Sequence, residues 1–163
     1  MRNFLINWLC DFKFWWSING KTVILWFFGV YAVFLALKLN VRIMIANTDS
    51  IPYKICLQLL QVKPKKGDIC VFKFHGFTFL KYVVGEPGDK IEIIDNEIYV
   101  GGKKIGPIQN DPRFTPTKHK IVPEGYRFMA GTHPQSFDCR YHEFGLIPES
   151  DIESKAIGLV KFK

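Results

Sequence analysis

Ile69-Cys70-Val71-Phe72-Lys73-Phe74-His75-Gly76-Phe77-Thr78-Phe79-Leu80-Lys81-Tyr82-Val83-Val84 is the stretch that decides the fold. β-branched and aromatic residues fill it, and His75-Gly76 breaks it where a reversal would fall. It therefore predicts two strands, Ile69–Phe74 and Phe77–Val84, joined by a turn. On the N-terminal side, Lys63-Pro64-Lys65-Lys66-Gly67-Asp68 is another turn, and Tyr53–Val62 admits either a short helix or a strand. On the C-terminal side, Pro87-Gly88-Asp89 turns the chain. Lys90–Ile94 and Glu97–Val100 then form a hairpin across Asp95-Asn96, with Gly101-Gly102 closing that arm. Residues 109–123 carry three prolines and little periodicity and read as loop. Tyr126–Ala130 and Ala156–Phe162 supply the last strands. The fold class is mainly β, over a body at 41–163.

The N-terminal quarter obeys a different rule. The chain of 163 residues is 48% hydrophobic and 15% aromatic, and much of that excess lies before Ile45. Residues 1–20 mix Trp8, Trp15, Trp16 and several phenylalanines with Arg2, Asp11 and Lys13, a composition suited to a headgroup region. They read as an interfacial or cytoplasmic lead-in. Ser17-Ile18-Asn19-Gly20 breaks that pattern. Residues 21–40 are the anchor: the apolar run through Leu39 reaches about the 18 residues at which a helix becomes a membrane-span candidate. A cleaved signal peptide would end in a small-x-small site, and the only small residue near the exit is Ala46, so a retained single-pass anchor is expected. Arg2, Lys13 and Lys21 before the span against Lys38 and Arg42 after it lean towards a cytoplasmic N-terminus and an outer body.

Lysine and arginine outnumber aspartate and glutamate by 22 to 15. The basic residues are scattered, with Lys63, Lys65, Lys66, Lys103 and Lys104 at turn positions. That distribution fits a solvated surface or lipid contact, and nothing resembling a nucleic-acid reading element accompanies it. The four cysteines form no C-x-x-C pair and no zinc spacing, so no structural metal is expected. With the body outside the membrane, Cys56, Cys70 and Cys139 face an oxidising space. One disulfide among them is permitted, and the sequence does not choose it.

For chemistry, Thr48-Asp49-Ser50-Ile51-Pro52 holds a serine beside a proline, a pattern that alone is a common turn. A serine nucleophile needs a base. None of His75, His119, His133 and His142 has an orienting carboxylate that the sequence can place, which leaves a triad open but unsupported. Lys81, with apolar neighbours on both sides, is the other candidate. A lysine base must fall roughly 3 to 5 units from about 10.4, the range reached by desolvated amines.

Taken together, Thr48-Asp49-Ser50-Ile51-Pro52 after an anchor, Gly67-Asp68-Ile69-Cys70-Val71-Phe72, Lys81 with Val83-Val84-Gly85-Glu86-Pro87-Gly88-Asp89, and Ser136-Phe137-Asp138-Cys139-Arg140-Tyr141 resemble the signal peptidase I superfamily of serine-lysine membrane endopeptidases. The resemblance spans most of residues 47–145. It implies a signal-peptidase-like β-rich catalytic domain on the periplasmic side of the inner membrane, acting without metal or cofactor. By position it implies Ser50 as nucleophile, Lys81 as general base, Thr48 and the Ser50 backbone N–H as the oxyanion hole, and Ser136 as the residue orienting the lysine. Asp138 and Arg140 match a supporting ion pair, and shallow apolar substrate pockets are expected to involve Ile51 and, on the Lys81 strand, Val83. Thr48-x-Ser50-x-Pro52 and His133-Pro134-Gln135-Ser136-Phe137-Asp138 look more like the TraF-type peptidases of conjugative transfer than like housekeeping signal peptidases. This implies an exported precursor such as a conjugative pilin or transfer-system subunit, with the bilayer and the transfer machinery as partners and no nucleic acid, and it leaves open whether the cleaved product is cyclised. A general signal peptidase and a non-catalytic anchored β module are the alternatives. Three places depart from the family pattern: Lys54, Cys139 in place of a serine, and a longer ending at Tyr141-His142-Glu143-Phe144-Gly145.

Overall fold

The computed structural model describes residues 2–162. The chain divides at Asn40/Val41 into two units. The first is a single helix, α1 (Arg2–Leu39). It runs without interruption through Ser17-Ile18-Asn19-Gly20, where the composition breaks. One interior glycine costs only about 1 kcal/mol, too little to open a long helix. Within it, Asn19–Lys38 is 20 residues long and apolar enough to cross a membrane, a length of about 30 Å. Asn40 takes a left-handed φ of 48° directly after the helix, the conformation that ends helices at this position. The side chains of residues 1–18 lie outside the described residues, and the interfacial reading of that segment lies there with them.

The second unit is β. In chain order it comprises β1 (Val41–Ile45), β2 (Tyr53–Leu59), β3 (Ile69–Phe74), β4 (Phe77–Gly85), β5 (Ile91–Ile94), β6 (Glu97–Val100), β7 (Lys103–Pro107), β8 (Tyr126–Ala130), β9 (Ile147–Pro148) and β10 (Ile152–Lys161). Seven strands form one antiparallel sheet in the order β1-β2-β10-β3-β4-β8-β9, and β5-β6-β7 form a second. The expected β3–β4 hairpin is present, with Ile69 opposite Tyr82 and Phe74 opposite Phe77. Asp95 and Asn96 both take positive φ, as a two-residue hairpin turn requires.

Of the two forms open to Tyr53–Val62, Tyr53–Leu59 takes the strand, its buried Cys56 and Gln58 alternating with half-buried Ile55, Leu57 and Leu59. Other strands differ from the sequence reading. Gly101-Gly102 does not close the arm but turns it into β7, a strand disguised by two lysines, a glycine and a proline. The last strand starts earlier than Ala156 because its polar beginning is buried: Ser154 accepts a 2.9 Å hydrogen bond from Gln58 inside the sheet.

One hydrophobic cluster gathers Cys70, Phe72, Val83, Phe128, Met129 and Phe144 among others, and a second gathers Ile51, Cys56, Ile69, Val71 and Ala156. The β3–β4 pair contributes to both, since alternate residues face opposite sides. Lys81 shares the parity of Val83, so a lysine is carried into the core. On β1 and β10, Ile43 and Ile157 are both exposed and both lie opposite Leu57, forming a solvent-facing apolar row.

Candidate active site

Three segments meet around Lys81. The loop between β1 and β2 carries Thr48 and Ser50, β4 carries Lys81, and the turn leaving β8 carries Ser136. The Ser50 carbonyl accepts a 2.8 Å hydrogen bond from the Thr132 N–H, which ties the serine loop to the end of β8. The Lys81 amine donates to Ser136 Oγ at 2.7 Å and to Ser50 Oγ at 3.3 Å. Ser136 Oγ lies 3.4 Å from Ser50 Oγ, and the Thr48 hydroxyl lies 3.4 Å from the same atom. The residues singled out from sequence for chemistry are therefore brought together, although 31 residues separate Ser50 from Lys81 and 55 separate Lys81 from Ser136.

Lys81 is 1% exposed, and among the described residues it makes no ion pair. Burial is the largest influence on its amine and holds it below the ordinary lysine range; nearby Asp138 and Cys139 pull it back up and Arg140 pushes it down. A buried amine within hydrogen-bonding reach of a hydroxyl can accept that hydroxyl's proton when neutral.

The turn that aims Ser136 is braced from below. Asp138 and Arg140 are 0% and 1% exposed. The guanidinium donates to both Asp138 oxygens at 2.8 and 2.9 Å. Its remaining donors reach the carbonyls of Pro107, Pro134, His133 and Ser136 at 3.0–3.2 Å. Asp138 Oδ2 also accepts from the Gly131 N–H at 2.8 Å.

Gly131 was not apparent as a site residue from sequence, because nothing in the neighbouring residues signals the crowding around it. A Cβ placed there would sit 2.7 Å from the Ser50 carbonyl oxygen and would collide with Ser136 Oγ. Displacing reacting groups by about 1 Å costs on the order of 10²-fold in rate. On the expectation that Ser50 and Lys81 carry the chemistry, Gly131→Ala cuts kcat about 100-fold with a smaller effect on KM. An unchanged kcat in a steady-state cleavage assay would contradict this geometry.

Two cavities meet at Ser50. One of about 370 Å³ is lined by Asp49, Lys81, His133, Gln135 and Phe137. The other, about 160 Å³ and more enclosed, is lined by Met44, Ala46, Ile51, Phe79 and Leu80. Thr48, Ser50 and Phe79 border both. Ile51 lines the smaller of the two. Val83 is in the core and lines a separate cavity of about 480 Å³ with Tyr82, Lys103 and Ala130. Leu80, next to Lys81 in the chain, and Phe79 border the smaller cavity beside Ser50. Cys56, Cys70 and Cys139 are all buried free thiols. Burial pushes Cys70 up to about 12 and raises Cys139 further.

A mainly β body that sets a serine hydroxyl against a buried amine has the architecture suited to serine-type hydrolysis. The family described as signal peptidase, peptidase S26, matches residues 22–161, and the chain belongs to that family. It is 25% identical over 166 residues to a probable signal peptidase I-2 of Synechocystis, covering 86% of this chain and 71% of that protein. It is 30% identical over 136 residues to signal peptidase I of Rickettsia massiliae, covering 58% of this chain and 50% of that protein. The chain thus spans about half the length of that relative. A crystal structure of a signal peptidase I from Enterococcus faecalis aligns with a TM-score of 0.43 at 26% identity, covering 57% of this chain and 96% of that one.

Proposed function

We propose that this chain is a membrane-anchored serine endopeptidase that removes signal peptides from exported precursors, with Ser50 as nucleophile and Lys81 as general base. The observation that carries the reading is the Lys81 amine, buried, without a carboxylate partner among the described residues, and 3.3 Å from Ser50 Oγ. In this reading neutral Lys81 takes the seryl proton as Ser50 Oγ adds to the scissile carbonyl. The Thr48 hydroxyl and the Ser50 N–H receive the developing oxyanion. Protonated Lys81 then gives its proton to the departing amine, leaving a seryl ester. Lys81 next takes a proton from water, the resulting hydroxide attacks the ester, and the proton returns to Ser50 Oγ. Ser136 holds the amine on this line throughout.

The 160 Å³ cavity beside Ser50 fits a small side chain and supports a preference for small residues before the cut. Beside it, the edge of β4 at Thr78–Leu80 is not paired with β8, whose ladder starts at Tyr82, so an extended precursor segment has backbone groups to bond there. The anchor helix and the exposed row at Ile43 and Ile157 support action at a bilayer surface; the excess of basic residues before the span favours a body on the outer face of the inner membrane.

A conjugative precursor is the narrower reading, favoured by the Thr48-x-Ser50-x-Pro52 pattern. The purified full chain in lipid vesicles separates the two when given an ordinary secretory precursor and a conjugative pilin precursor. Cleavage of the first, falling about 100-fold when the residue before the cut is changed from Ala to Phe, is the expected result. Cleavage of the pilin precursor alone would select the narrower reading. Failure on both would overturn the function.

A further inference from the structure

Lys81 has a neighbour that neither the mechanism nor the sequence reading uses. Phe144 is 3% exposed, and the Lys81 amine lies over its ring, 5.8 Å from the centroid. Four other aromatic rings fix its plane. It stacks on Phe74 at 4.2 Å and 25°, and meets Phe79, Phe72 and Phe137 edge-on at 6.0, 6.3 and 5.1 Å. Two of these, Phe79 and Phe137, also line the cavity containing Ser50 and Lys81. The lengthened ending Tyr141–Gly145 explains how the ring gets there. Glu143 is exposed and accepts hydrogen bonds from the Thr115 N–H and hydroxyl, the His142 N–H bonds to the Thr115 carbonyl at 2.8 Å, and Phe144, next in the chain, turns inward.

We infer that Phe144 is a positioning residue for Lys81, its ring face steadying the amine beside Ser50 and Ser136 while its bulk keeps water from the other side. The inference rests on the Ser50–Lys81 reading above. A ring in this position acts in two directions. Its π face attracts the ammonium form, and its volume excludes the water that would solvate that form. The two actions are separable by substitution. Phe144→Leu keeps the bulk and loses the π face, so the neutral amine is favoured. Phe144→Ala opens the site to water, so the ammonium is favoured. Phe144→Tyr keeps both.

The other charged or titratable groups around Lys81 are Asp138, Cys139 and Arg140 on the supporting segment and Cys70 opposite it on β3. Asp49 and His133 stand at the cavity mouth. All are common to the three variants, so their titrations cancel in the comparison. The experiment is the pH profile of kcat/KM for each full-length variant in vesicles, using a precursor peptide with alanine at the first and third positions before the cut. Its acid limb is expected to move down by about half to one and a half pH units in Phe144→Leu, to move up in Phe144→Ala, and to stay in Phe144→Tyr. An unmoved limb in Phe144→Leu, or one moved equally in Phe144→Leu and Phe144→Tyr, overturns the inference even if Phe144→Ala does not fold. Ser50→Ala run alongside tests the underlying reading separately. Cleavage retained in that variant removes the dyad, whereas its loss with an unmoved Phe144→Leu limb removes only the role of Phe144.

Discussion

Lys81→Met is expected to lose precursor cleavage by about 10⁴-fold or more, as removal of a base from a nucleophile–base unit does. Methionine keeps most of the buried stem and removes only the proton acceptor. Lys81→Arg should be equally inactive, because a guanidinium does not give up its proton at working pH. Stability should move the other way. Burial depresses the Lys81 amine in the folded chain, whereas the unfolded chain carries an ordinary lysine. Between the depressed value and about 10.4 the unfolded state holds more protons, so stability rises with pH through that window. The buried amine is therefore a burden at neutral pH, and its removal should raise the melting temperature there. The gain should shrink as pH climbs towards the lysine range, where both states are neutral. Melting curves for wild type and Lys81→Met at pH 7 and pH 10.5, beside a cleavage assay, check both halves. Cleavage by Lys81→Met would end the proposed base role, and a lower melting temperature at pH 7 would show that the amine is not held below its usual range.

Sequence legibility followed the strength of local signals. The β3–β4 hairpin and the Asp95-Asn96 hairpin were readable because side-chain alternation and turn chemistry coincide there. The strands that were not readable had their signals masked. β1 follows the anchor with only Asn40 between them, β7 has lysines, glycine and proline around a single Ile105, and β10 carries near its start polar residues whose burial depends on the partner strand. The site divided along the same line. Ser50, Lys81, Thr48 and Ser136 were named because a family pattern orders them along the chain, and the fold brings those residues together. Gly131 and Phe144 owe their places to packing between segments, which leaves no local trace. Val83, which the family resemblance put at a pocket on the Lys81 strand, packs into the core and lines a cavity apart from Ser50, while Phe79 and Leu80 line the one beside it.

Arg140→Met is expected to cost about 3–5 kcal/mol of stability, because it leaves the Asp138 carboxylate buried without its counter-charge. For a body of this size that is a fall of about 10–20 °C in melting temperature. The same change frees the carbonyls of Pro134, His133 and Ser136, to which the guanidinium donates from below. Ser136 would then no longer be held 2.7 Å from the Lys81 amine, and cleavage should fall with stability. A double variant, Asp138→Leu with Arg140→Met, separates the two effects. Replacing a buried ion pair by apolar side chains is often neutral or stabilising, so much of the lost melting temperature should return. Activity should not return with it, since no donor remains to fix the turn. Arg140→Lys belongs in the same series: one ammonium cannot span the two carboxylate oxygens and four carbonyls that the planar fork reaches, so it should remain well below wild type in both measurements. If the double variant recovered full activity, the pair would be a filler of the core and the turn would hold its own shape. If the double variant were as unstable as Arg140→Met, the cost would lie in the lost carbonyl hydrogen bonds and not in the stranded carboxylate.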